Sequence, residues 1–205
     1  MNIGHVLSTM KSMFPNYKVE LDFGTPFQLL LAVILSAQTT DKQVNKVTYL
    51  LFESIKGPED VLLMGEEKLK DSIKSIGLYN SKGNNIYKLS KILVEENLPF
   101  PNSLEEFEKL PGVGMKTAKV VMNILYDARY MPVDTHIHRV SNRLGFVATK
   151  DPKQTSIELE KILSLEQKEY AHLVMIFFGR YFCLAKKPIC SECPFSSICK
   201  FYQNK

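Results

Sequence analysis

The chain has 205 residues, of which 45% are hydrophobic and 23% charged, with ten Gly, ten Pro and no Trp. That balance excludes a disordered tail, a collagen-like fibre and a disulfide-dense miniprotein. The formal net charge of +4 is mildly basic, which admits a nucleic-acid partner without requiring one.

Residues 1–14 mix polar and apolar side chains without a continuous apolar core, so no secretory leader is expected. The longest apolar run, Leu29–Leu35, is seven residues. A membrane-spanning helix needs about 20. The expectation is a soluble intracellular protein.

The periodicity is helical almost everywhere. Thr25-Pro26-Phe27-Gln28 has the form of a helix start, with Thr as N-cap, Pro at the first helical position and Gln three residues after the cap. The helix it opens, to about Ala37, is apolar nearly all round and is therefore expected at a core centre. Asp41 opens a second helix with Val44, Val47, Leu51 and Ile55 on one face, stopped by Gly57-Pro58. Helices follow near 58–64, near 66–76 before Gly77, and over 81–97 before Pro99 and Pro101. Ser103-Leu-Glu-Glu106 reads as a capping box for a short helix that runs into Leu110-Pro111-Gly112-Val113-Gly114, and the next helix spans about 115–127. After a loop at 128–133, helices are expected near 135–144, 152–163 and 166–182, the second capped by Asp151. The last 20 or so residues read as irregular. No segment alternates like a strand, so the fold class is all-α.

Two stretches carry chemistry. In Leu110-Pro-Gly-Val-Gly-Met-Lys-Thr-Ala118, a short helix meets a two-glycine turn and a helix N-terminus. Gly112 and Gly114 permit positive φ and close approach, so the backbone of Gly112, Val113 and Gly114 with the positive end of the next helix would hold a phosphate without reading sequence. A tight interhelical turn chosen for backbone reasons is the other reading. Lys116, in the first turn, is either a solvated lysine, a phosphate contact or an amine nucleophile. Lys119 lies at i+3, near the same face, as a like charge that activates Lys116 or as a phosphate contact, with a solvated lysine the favoured reading. Asp134 precedes the next helix as an N-cap, or as a carboxylate facing Lys116, or as both. His136 and His138 are two residues apart and share no helix face, so no metal is expected there.

The second stretch is Cys183-x6-Cys190-x2-Cys193-x5-Cys199. Four thiolates so close in sequence suit one soft metal centre. Only Cys190 and Cys193 have the short spacing that zinc prefers, so the spacing leans to iron–sulfur over zinc, with disulfides a distant third. Lys186, Lys187 and Lys200 form a solvated edge or a basic lip for a DNA backbone.

Taken in order, LPGVGMKTA, VDTHIHRV with Asp134, and C-x6-C-x2-C-x5-C resemble the endonuclease III family of DNA repair glycosylases. LSAQTTD at 35–41 and IGLYNSK at 76–82 are similar to segments of that family, and the likeness covers nearly the whole chain. The resemblance implies two all-α domains with a DNA cleft between them. One is a six-helix domain over 21–129 with a helix-hairpin-helix at about 104–127. The other joins 1–20, with an N-terminal helix, to 130–205 and holds one 4Fe–4S cluster on Cys183, Cys190, Cys193 and Cys199. It further implies a bifunctional enzyme that removes oxidised pyrimidines from double-stranded DNA and cleaves 3′ to the abasic site by β-elimination. Lys116 would be the Schiff-base nucleophile and Asp134 its carboxylate partner. Gln38 would fill the gap left by the flipped nucleotide, Leu78 would wedge the opposing stack, and Gly112, Val113, Gly114 and Lys119 would contact DNA. On the residues alone, Leu78 reads as core packing and Gln38 as a buried helix-end hydrogen bond.

Met115, Lys119 and His138 depart from the usual pattern, where Arg, Asn and an apolar aromatic are common. Adenine-mismatch glycosylases lack the lysine and carry a further C-terminal domain, whereas this sequence ends six residues after Cys199. Thymine-mismatch or uracil glycosylases differ in pocket residues. A non-enzymatic DNA-binding module and an electron-transfer protein are the readings from other classes. No oligomer is indicated, and a monomer is expected.

Overall fold

A computed structural model describes residues 2–204. Among the described residues there are helices and no strand. None of the helices is long and apolar enough to cross a membrane. The chain divides into two compact units.

The first unit comprises Glu20–Ala128. It contains α2 (Pro26–Ser36), α3 (Asp41–Ser54), α4 (Pro58–Met64), α5 (Glu66–Ser72), α6 (Tyr79–Glu95), α7 (Leu104–Lys109) and α8 (Met115–Tyr126). Every residue of α2 from Phe27 to Leu35 is buried, and α3, α6 and α8 pack around it. Each fully buried aliphatic side chain there contributes about 1.5–3 kcal/mol relative to exposure. The start of α2 is fixed by Gln28. Its Oε1 accepts from the Gly24 and Thr25 amides, and its Nε2 donates to the Phe52 and Ile55 carbonyls at the end of α3. A buried amide with all these bonds made ties two helix ends together without leaving a polar atom unpaired.

Gly65 makes the break expected between the helices near 58–64 and 66–76: at φ +83° it ends α4 and begins α5, a conformation that side-chain-bearing residues resist. α5 stops at Ser72, not near 76, because the chain tightens into i→i−3 bonds from Ile73 and Ile76. α6 begins at Tyr79, two residues before the periodicity indicated, because Leu78 in the left-handed region serves as its N-cap. The expected box at Ser103 forms by half. Ser103 Oγ accepts from the Glu106 amide, but the Glu106 carboxylate takes the Asn102 amide.

Asp60 secures the α3–α4 corner. Its Oδ2 accepts from the Lys56 and Gly57 amides at 2.7 and 3.0 Å. These two backbone bonds hold its carboxyl below the usual carboxylate range. The native state therefore binds fewer protons than the unfolded chain between the two pKa values. Asp60 contributes stability that is present above the unfolded value and lost as pH falls through the folded one. Asp60→Asn is expected to lower the thermal midpoint at neutral pH. As pH falls through the folded Asp60 value and its side chain becomes neutral, the two midpoints should converge. Scanning calorimetry across the acid range measures this.

The second unit joins the N-terminal segment through Val19 to the chain from Arg129 onward. It contains α1 (Ile3–Met13), α9 (Thr135–Leu144), α10 (Pro152–Ile162), α11 (Leu165–Tyr181) and α12 (Lys200–Gln203), with a 3-10 turn at Ser196–Ile198. α11 is the axis, packed against α1 and α9. Val6, Leu7 and Met10 of α1 meet Ile137, Val140, Val174, Met175 and Phe178 in one core. The C-terminal stretch, expected to be irregular, closes on α9 through α12.

Candidate active site and thiol cavity

The hairpin forms as a turn between α7 and α8, and α7 packs on α8. Val113 donates its amide to the Leu110 carbonyl at 3.1 Å and buries its side chain, so neither is offered to a phosphate. Gly112 is required twice over. Its φ is +81°, and a Cβ there would stand 2.8 Å from Asn85 Cβ. Gly114 differs from expectation: at φ −93° and ψ 171° its backbone is extended, as any residue allows, and a Cβ there would meet nothing within 4 Å. It is the N-cap of α8, and no side chain caps that end. The first-turn amides, with the positive end of a 12-residue helix behind them, are left for another acceptor. Lys116 is exposed in that first turn. Lys119 is not the solvated residue expected: it is only 7% exposed, on the inner face with Ala118 and Met122. A lysine at i+3 from an exposed one has turned inward far enough to join the stripe that packs on the core.

In the other unit, Asp134 caps α9. Its Oδ1 accepts from the Ile137 amide at 2.8 Å, and its backbone carbonyl accepts from the His138 amide. The side chain is half-buried, and its Oδ2 makes no further hydrogen bond among the described residues. His138 is tied inward: its Nδ1 lies 2.7 Å from Thr155 Oγ1, and Asn142 and Thr149 extend the network.

The four cysteines are free thiols that line one cavity together with Arg143, Phe178, Phe182 and Phe201. The cavity holds about 360 Å³ of space outside atoms, part of it open solvent. Burial pushes the Cys193 thiol up, the Phe195 amide offsets this in part, and the charges of Cys199, Cys183 and Cys190 add to the rise. That mutual influence puts the four sulfurs in one neighbourhood. Among the described residues, no three His, Cys, Asp or Glu side chains are placed to hold a single metal ion. Two arginines of α9 anchor the start of the thiol-bearing segment. Arg139 donates to the Cys183 and Gly179 carbonyls. Arg143 donates to the Leu184 and Ala185 carbonyls and stacks on Phe201 at 4.4 Å.

Comparison with known proteins decides the family. The profile of the HhH-GPD superfamily base excision DNA repair protein matches residues 31–165. An endonuclease III of Bacillus subtilis (strain 168) is 45% identical over 97% of this chain and 92% of its own. Two solved structures, a non-covalent endonuclease III–DNA complex and a trapped endonuclease III–DNA covalent intermediate, each superpose with a TM-score of 0.93 at 43% identity. Each match covers 98% of this chain, with 95% and 96% of the respective partner chains. The chain belongs to the endonuclease III family.

Endonuclease III membership makes the chain a base excision DNA repair enzyme of the glycosylase and lyase type, acting on DNA. It also directs attention to two turns of the first unit. Gln38 is exposed, not buried, and takes φ 56° in the turn after α2. Leu78 is 59% exposed at φ 60°, not packed in a core. Both are left-handed conformations that non-glycine residues hold only where the surroundings over-determine them. Reading the sequence by residue type missed Lys82, which is buried between these turns. Its signal was present in the pattern: Lys82, Ile86, Leu89 and Leu93 fall on one stripe of α6, and all are buried.

Proposed function

We propose that this endonuclease III family member excises oxidised pyrimidines from double-stranded DNA and cuts 3′ to the resulting abasic site, with Lys116 as nucleophile. The observation that carries the reading is the exposed Lys116 amine in the first turn of α8, beside amides that no side chain caps. A protein 43% identical to this chain has been trapped as a covalent intermediate with DNA, which supports an amine route.

In the proposed sequence, the amides of Gly112 and of 114–117 grip backbone phosphate, a contact that carries no base information. The damaged nucleotide leaves the stack, more easily where its pairing is already weakened. Gln38 fills the gap and Leu78 enters the opposing stack. The neutral Lys116 amine attacks the anomeric carbon as the bond to the base breaks, and the base departs with the electron pair and gains a proton. Ring opening with loss of a proton from nitrogen gives the Schiff base. Removal of a C2′ proton then expels the 3′ phosphate by β-elimination, and water releases the amine. Asp134 is assigned the carboxylate role, accepting the amine's proton or stabilising positive charge on the sugar. The oxygen not used in capping is the one available for it.

The four free thiols fit a 4Fe–4S cluster, which takes four cysteine ligands at uneven spacing. When bound, that cluster would supply four cross-links within the C-terminal segment. The chain is proposed to act as a monomer inside the cell, where its DNA is.

Borohydride trapping tests the reading, on one duplex carrying thymine glycol and another carrying a plain abasic site. A covalent protein–DNA band on both is the expected result. A band on the abasic duplex alone would assign the lyase and move the glycosylase to another base. No band on either removes the Schiff-base route.

A further inference from the structure

Lys82 is 5% exposed, and among the described residues no carboxylate pairs with it. A buried ammonium is tolerated only where hydrogen bonds replace its water. Here three oxygens do so: the Leu35 carbonyl at 2.9 Å, the Ala37 carbonyl at 2.6 Å and Thr39 Oγ1 at 3.3 Å. All three flank Gln38. The first lies in the last turn of α2, where carbonyls lack helical partners and the helix dipole favours a cation. An ammonium has three donors and no acceptor, which matches three oxygens converging on a point. Burial without a counter-charge pushes the Lys82 pKa down, a strain the protein keeps.

The same residue grips the second turn. Its backbone amide donates to the Leu78 carbonyl at 3.0 Å, the bond that begins α6. The turns also lie close together, and α3 is tied to the second of them. A Cβ on Gly77 would stand 3.8 Å from the Gln38 carbonyl oxygen, and Gln43 Nε2 donates to Ser75 Oγ at 3.0 Å. One residue thus bonds to the chain on both sides of Gln38 and to Leu78 itself. Both of these positions are exposed and left-handed.

We infer that Lys82 is a positioning residue: through its ammonium and its backbone amide it locks the two turns into one unit, presetting Gln38 and Leu78 for insertion into the duplex. The inference rests on the insertion roles proposed above for those two residues. Presetting removes the entropy that ordering two exposed turns would otherwise cost at the moment of base flipping. It therefore acts on excision and leaves phosphate-dominated binding of undamaged duplex alone.

Lys82→Met keeps the apolar stem and removes the donors. Single-turnover excision of thymine glycol is expected to fall about tenfold or more, with affinity for undamaged duplex changed less than about twofold. The decisive comparison is the pair with Gln38→Ala. If Lys82 acts through Gln38, adding Lys82→Met to Gln38→Ala costs less than about threefold further, because coupled sites are not additive. A merely structural lysine would multiply the two losses, and that result overturns the inference, as does wild-type excision by Lys82→Met. Wild-type excision by both Gln38→Ala and Leu78→Ala would instead remove the insertion reading, and the inference with it. If Lys82→Met does not fold, Lys82→Arg decides. Its planar fork keeps the charge but cannot converge three donors on one point. A several-fold loss in folded Lys82→Arg supports the inference, and wild-type excision overturns it.

Discussion

Lys116→Ala is expected to abolish strand cleavage and borohydride trapping while leaving the fold intact. The side chain is exposed in the first turn of α8, so truncation removes little packing. Alanine is also the better helix former. The thermal midpoint should therefore stay within a few degrees of wild type. Cleavage is expected to drop on the order of 10³-fold or more, the scale seen when a covalent nucleophile is removed from a site that otherwise survives. The structure removes one escape route. Lys119 is the neighbouring amine on the same helix, but it is buried on the inner face and cannot take over. Affinity for undamaged duplex should fall by no more than a single phosphate contact would explain. Cleavage at the wild-type rate would remove Lys116 from the chemistry. Loss of cleavage together with loss of duplex binding would make it a phosphate contact instead.

The parts of the fold that could be read from sequence were those governed by local rules. Thr25 and Gln28 form the capping box their spacing announced, and Asp151 caps α10 through the Gln154 amide. Capping is decided within four residues, and so it shows in a short string. The central position of α2 was legible because apolar residues occupied every face. What failed to show was set by residues distant in sequence. Leu78 starts α6 in a left-handed conformation that its own side chain disfavours, just after Ser75, which takes a bond from Gln43 Nε2 across 32 residues. Gln38 looked like a buried helix-end amide, yet the helix end is satisfied by an ammonium from α6, 45 residues from Ala37, and Gln38 is left outside. Lys119 was read through the general habit of lysine, which the inward stripe of its helix overrules, and Lys82 was not singled out although it lies on the buried stripe of α6. The order of hairpin, Asp134 and cysteines carried the family, because each motif is short but the sequence of three is rarely met by chance.

Under the proposed cluster assignment, Cys190→Ser is expected to lose iron–sulfur absorbance and the order of the C-terminal segment, and the anchoring explains where that order would end. Arg139 and Arg143 pin the backbone from Cys183 to Ala185 to α9. Beyond Ala185 the chain is mostly exposed or half-buried, with Phe195 and Cys199 its buried points. Phe195 packs against Phe178 at 5.5 Å, and the Cys199 thiol donates to the Arg143 carbonyl. Under that assignment, metal–ligand bonds supply the main further constraint on this segment, as in other small metal-stapled folds. Limited proteolysis with trypsin should therefore cut Cys190→Ser after about Ala185, at the exposed Lys186. The core that α1, α9 and α11 share should remain protected. Unchanged visible absorbance with a protease-resistant tail would show that Cys190 is not a ligand. Lost absorbance with a resistant tail would assign the order to Phe195 and the two arginines in place of the cluster.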